Sequence, residues 1–101
     1  MGADFHITRA DQWYFSEENP ITAEEWLAYV DQDSELTLDP RNGEYHALWS
    51  GDSAYDEPWL DWCSGEIYTK WPDTFLFRKM FRIARDLNAR VVDDEEHHYV
   101  D

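Results

Sequence analysis

Positive charge is what this chain has least of. Eight Lys and Arg stand against 23 Asp and Glu in 101 residues, a formal net charge of −15. A surface of that sign repels phosphate, so direct nucleic-acid binding and adhesion to anionic lipid are not expected. There is one cysteine, Cys63, which leaves no intrachain disulfide to staple a small secreted domain. No run of 18 apolar residues occurs and the mean hydropathy is −0.77, so no membrane-spanning helix is expected. The opening Met1-Gly2-Ala3-Asp4-Phe5-His6 has neither the basic region nor the apolar core of a signal peptide. It also carries His6 where a myristoylation motif has Ser or Thr. A cytoplasmic location is the expectation. With four Gly and four Pro the chain shows no linker, low-complexity stretch or internal repeat.

Aromatic residues, by contrast, make up 17% of the chain, including six Trp, and 43% of it is hydrophobic. Acidic disordered chains are poor in aromatics, so a packed domain over residues 1–101 is predicted. Charge is segmented along it. Residues 1–69 hold 16 acids and two bases, residues 70–90 six bases and two acids, and residues 91–101 five acids and no base.

Periodicity supplies the elements. Asp4 to Arg9 alternates, with Phe5 and Ile7 on one face and Asp4, His6 and Thr8 on the other, as in a half-buried strand. Ile21 to Gln32 reads as a helix: Thr22 and Glu25 have capping-box spacing, and Ile21 with Trp26 has that of a hydrophobic staple. Glu35 to Leu38 and Tyr45 to Ser50 read as strands around Asn42-Gly43, and Trp59 to Cys63 and Glu66 to Thr69 as a hairpin turning at Ser64-Gly65. Trp71 to Leu87 reads as a second helix with a Leu76, Met80, Ile83, Ala84, Leu87 stripe and a stop at Asn88. Arg90 to Asp93 is a last strand, with Tyr99-Val100 as a short return. The expected fold is α+β, a mainly antiparallel sheet of about five strands with two helices packed on one face. Two such helices cannot cover both faces, so some aromatics should be exposed or covered by loops or a partner.

Trp49 to Trp62 is the densest constellation, interleaving three Trp and one Tyr with four carboxylates. Aromatics give contact area at low entropic cost and carboxylates select a basic partner. The candidate partner-binding residues are therefore Trp49, Asp52, Tyr55, Asp56, Glu57, Trp59, Asp61 and Trp62, set against the reading in which the Trp are core and the acids solvated loop. Other patterns fail their own chemistry. Asp31, Asp33 and Glu35 open like a calcium loop, but Leu36 stands where that loop has Gly and Asn42 where it has Glu, which leaves a solvated helix end. Asp93 to His98 is a solvated acidic turn whose consecutive residues do not converge on a metal. Cys63 with His46 has nothing to lower the thiol pKa, and His6 reads as the polar side of its strand. Arg78, Lys79, Arg82 and Arg85 form a basic helix face that pairs with the acidic remainder. No catalytic residue, metal or cofactor is assigned.

From Leu48 to Pro72 the chain reads Leu-Trp-Ser-Gly, then Tyr-x-Glu-Pro-Trp-Leu-Asp-Trp, then Gly-x-Ile-Tyr-Thr-Lys-x-Pro. Together with the Met-Gly-Ala-Asp-Phe opening, this resembles small uncharacterised acidic bacterial proteins over most of the chain. In size and charge the chain is also similar to immunity proteins that neutralise bacterial toxins. The first resemblance carries no catalytic residues across. The expectation is a cytoplasmic inhibitor of a basic protein, such as a toxin with a basic active-site cleft. The alternatives are a phage-type nucleic-acid mimic that blocks a DNA-binding protein, and a small enzyme or ligand-binding domain.

Overall fold

A computed structural model describes residues 4–99. They build one seven-stranded antiparallel sheet, with strands β1 (Asp4–Thr8), β2 (Leu36–Leu38), β3 (Ala47–Trp49), β4 (Trp59–Cys63), β5 (Glu66–Lys70), β6 (Arg90–Asp93) and β7 (His98–Tyr99). The spatial order is β2-β3-β4-β5-β1-β6-β7. The class is the expected α+β, but the sheet has seven strands where about five were expected: each segment read as a strand joins it, down to the short β7, whose expected residue Val100 lies outside the described residues.

The first strand lies inside the sheet. β1 pairs with β5 through His6 opposite Tyr68, and with β6 through His6 opposite Val92. Helix α2 (Thr74–Asp86) links β5 to β6, so β1 is inserted into a β-α-β unit formed by residues about 60 to 90 positions downstream. The hairpin joining β4 and β5 turns on Ser64 and Gly65, at φ +51° and +90°, with Cys63 opposite Glu66. Two central residues at positive φ suit the right-handed twist of the flanking strands. A Cβ on Gly65 would lie 2.7 Å from the Ser16 carbonyl oxygen, so the turn also needs glycine for close approach.

Helix α1 (Ala23–Gln32) starts where its cap dictates. The Thr22 side chain accepts from the Glu25 N–H at 3.1 Å, and the Glu25 carboxylate accepts from the Thr22 N–H at 3.0 Å. Glu25 also holds the Arg9 guanidinium through both oxygens, at 2.9 and 2.7 Å, so one residue fixes the helix start against the end of β1. Thr22→Ala should lower stability by about 0.5–2 kcal/mol, read as a lower urea midpoint at unchanged slope. An unmoved midpoint would mean the cap contributes nothing.

Helix α2 begins three residues later than its apolar pattern suggested. Trp71 takes φ +47°, Pro72 follows, and the Asp73 carboxylate caps the helix by accepting from the Leu76 N–H at 2.9 Å. The helix stops at Asn88 as expected. Asn88 is left-handed at φ +55°, the Ala89 N–H donates to the Ala84 carbonyl at 2.8 Å, and the Asn88 N–H donates to that of Arg85 at 3.2 Å. Those two bonds are the Schellman pair.

Strand register assigns the faces. Ile7, Ile67, Leu60, Ala47, Leu36 and Val91 share one face and form a single core cluster with Trp26 and Val30 of α1 and Leu76, Met80, Ile83 and Ala84 of α2. The opposite face is not bare. A 3-10 helical segment, Trp13–Glu18, lies across it, with Trp13 stacked on His6 at a centroid distance of 4.4 Å. The expectation that His6 is merely the polar side of its strand is therefore corrected: it is buried beneath that indole.

Candidate functional site

The segment from Trp49 to Trp62 divides between core and surface. Trp49 is only 6% exposed, its indole N–H donates to Glu35 at 3.0 Å, and the Gly51 backbone lies across its ring, where a Cβ would come within 2.0 Å. Trp49 therefore leaves the candidate surface, because it sits on the helix face with Gly51 closing over its ring. Trp62 points the same way as Leu60, with its indole N–H donating to the Ile21 carbonyl at 2.8 Å and its ring edge-on to Tyr45 at 4.9 Å. It is half-buried.

Trp59 and Asp61 face the other side of the sheet. Trp59 stacks on His46 at 5.1 Å and meets Tyr68 edge-on at 5.5 Å, and Asp61 lies 3.5 Å from the His46 ring nitrogen. Asp52, Tyr55, Asp56 and Glu57 are exposed on the loop between β3 and β4. That loop is tied down. Asp73, already the cap of α2, also accepts from the Ser53 hydroxyl at 2.8 Å and the Ala54 N–H at 2.6 Å, and burial, which works against the ion, is outweighed by these bonds, so its carboxyl sits below the ordinary range. The Tyr55 hydroxyl donates to the Trp71 carbonyl at 2.5 Å. Between this loop and the end of β5, a pocket of about 400 Å³ is lined by Tyr55, Glu57, Pro58, Trp59, Lys70 and Trp71 among others. Sequence reading placed Trp71 at the start of a helix and missed it as a surface residue. Its signal was the following Pro72, which disfavours helical conformation at the residue before it.

Charge is distributed to match. Arg9, Arg41, Lys70, Lys79, Arg82, Arg85 and Arg90 each have a carboxylate within 4 Å, and Arg78 alone of the eight has none among the described residues. Glu57 is one of two acids on Arg41, at 3.1 Å. Asp52 and Asp56, like Glu17, Glu18, Glu24, Asp31 and Glu44, are exposed and pair with no cation among the described residues. The internal pairs thus use up almost all the positive charge and leave Asp52 and Asp56 of the loop unpaired among the described residues.

A second cluster was not foreseen. The His6 Nδ1 bonds Glu66 and its Nε2 bonds Asp94 at 2.7 Å, joining β1, β5 and the turn after β6. A ring that meets an ionised carboxylate at each nitrogen can donate to both only as the imidazolium, so the two acids favour the charged ring. Burial opposes that charge, but the bonds to Glu66 and Asp94 outweigh it and raise the His6 pKa above 6.5. With both nitrogens engaged and Trp13 over its face, His6 serves as a fixed cation rather than a base available to a substrate. The other acidic patterns are likewise structural. Asp33 and Glu35 hold Lys79, at 2.7 and 2.9 Å, instead of forming a solvated helix end. Asp93 is buried, and it accepts from the N–H groups of Glu95 and His97 and from the Tyr99 hydroxyl, which against the opposing effect of burial brings its pKa down to about 2. Comparison of the chain with models of known families, with characterised proteins and with solved structures finds no match.

Proposed function

We propose that this chain is an acidic binding protein that occludes a basic partner, acting as an immunity protein does on a toxin with a basic active-site cleft. The observation that carries the reading is the β3–β4 loop. Its carboxylates Asp52 and Asp56 meet no cation among the described residues, they flank the exposed Tyr55, and Asp73 pins the loop that bears them. Unpaired acids on a pinned loop steer a basic partner into encounter, and the aromatic supplies contact once it arrives. Little ordering entropy is lost at such a loop on binding, which favours affinity.

The test starts from affinity capture out of a bacterial lysate, followed by kinetics on the purified partner. Association should slow steeply as salt rises, while dissociation changes little. Asp52→Lys with Asp56→Lys should slow association about tenfold or more at low salt, since steering of this kind spans 10–10³-fold. The variant should keep its unfolding midpoint, because neither acid holds an ion pair among the described residues. A partner that is not basic, or one bound at wild-type rate by the reversed protein, overturns the proposal.

A further inference from the structure

Trp71 combines two unfavourable features. It is the most exposed large apolar side chain among the described residues, at 64%. It also holds φ +47°, a left-handed backbone that bulky residues rarely adopt. Among the described residues the other non-glycine positions at positive φ are Ser64 in the hairpin turn, Asn88 at the helix stop and Glu96 in the turn before β7. Each sits in a turn or at a helix end, where left-handed backbone is part of the local geometry. At Trp71 the same conformation turns an indole toward solvent, where glycine or asparagine would make the bend without strain. The surroundings hold it there: the Tyr55 hydroxyl donates to its carbonyl, and Asp73 two residues on anchors both the helix and the loop.

We infer that the pocket formed by Tyr55, Trp59 and Trp71 receives one arginine side chain of the basic partner. This inference rests on the reading of the chain as an acidic binding protein. Three aromatic side chains line about 400 Å³; aromatic rings attract a cation, and a flat guanidinium stacks on them better than an ammonium does. Glu57 lines the same pocket and the free acids Asp52 and Asp56 lie on the same loop. One cation, Lys70, also lines it, but its ammonium is held by Asp4 at 2.9 Å. Glu57 is the one carboxylate of the lining and also meets Arg41 at 3.1 Å, while Pro58 and Leu76 supply hydrocarbon for the methylenes of the guest.

The experiment follows the indole N–H signals of the six tryptophans while N-acetyl-arginine amide is added to the intact protein. The signals of Trp59 and Trp71 should move saturably. N-acetyl-citrulline amide, which has the same shape without the charge, should bind at least tenfold more weakly, and N-acetyl-leucine amide likewise. Trp71→Gly should weaken the arginine probe at least tenfold while keeping or raising the unfolding midpoint, because glycine accepts the left-handed backbone. Trp71→Asn serves the same purpose with a second side chain that tolerates the bend. Equal binding of the leucine or citrulline probe, no movement of the two indoles, or undiminished arginine binding in both variants would overturn the pocket assignment. A captured partner that binds Trp71→Gly normally yet fails on the charge-reversed loop would remove the arginine pocket and leave the acidic binding reading standing. Saturable arginine binding with a partner indifferent to loop charge would do the reverse.

Discussion

His6→Ala is expected to be among the most damaging single changes in the molecule, lowering stability by about 3–5 kcal/mol near neutral pH. Removing the imidazolium leaves Glu66 and Asp94 facing each other across the gap without their cation, and the Glu66 carboxyl is buried. It also takes the stacking partner from Trp13. The pH dependence separates lost charge from lost packing. The His6 pKa is raised in the folded state, so its stabilisation is complete below 6.5 and disappears as pH rises through the higher folded value. Burial raises the Glu66 pKa above 4.5, against the opposing pull of His6, so at acid pH that carboxyl is neutral and the loss of the cation matters less. The difference between wild type and variant, read from urea midpoints, should therefore shrink as pH rises through the raised His6 pKa and as it falls through that of Glu66. A difference that stays constant with pH would show that His6 acts by packing alone.

The legible part of this fold was the part written locally. Alternation in Asp4–Thr8 assigned the faces of β1, and the strand expected over Tyr45–Ser50 contains β3. Thr22 with Glu25, Ser64 with Gly65, and Asn88 are cap and turn signals acting over a few residues, and each sits where its chemistry placed it. What the sequence did not disclose is non-local. Nothing near His6 announces that Glu66, 60 residues away, and Asp94, 88 residues away, will meet its two nitrogens. That meeting follows from the insertion of β1 between β5 and β6, which no periodicity encodes. The loop acids were legible because they are local and exposed. Trp49 was not, since its burial depends on a helix face and on Gly51 crossing its ring. Trp71 was hidden because an apolar residue beside a helical pattern reads as part of that pattern.

Lys79 makes the same point energetically, and Lys79→Met should destabilise the domain by roughly 2–3 kcal/mol. The helical pattern put Lys79 on a basic face with Arg78, Arg82 and Arg85, yet it is 4% exposed whereas those three are exposed. Its ammonium bonds Asp33 at 2.7 Å and Glu35 at 2.9 Å, joining α2 to the corner between α1 and β2. Methionine fills a similar volume, so little packing is lost and the charge effect stands alone. The expected loss is below that of a fully buried pair because Glu35, at 42% exposure of its side chain, can recover water. Arg85→Ala is the control: its contact with Asp86 is 3.9 Å between two exposed side chains, worth about 0–1 kcal/mol. The Glu35 carboxyl is held below 4.5 by the Trp49 indole N–H first and by Lys79 next, so its stabilisation is present above 4.5 and lost as pH falls through the lower folded value. In Lys79→Met that acid limb should move up in pH but not vanish, because the indole bond remains. Adding Asp33→Asn and Glu35→Gln to Lys79→Met should recover part of the loss, since no uncompensated charge is then left behind. If the triple variant is no more stable than Lys79→Met, the buried ammonium stabilises through its hydrocarbon stem and not through the two carboxylates it joins.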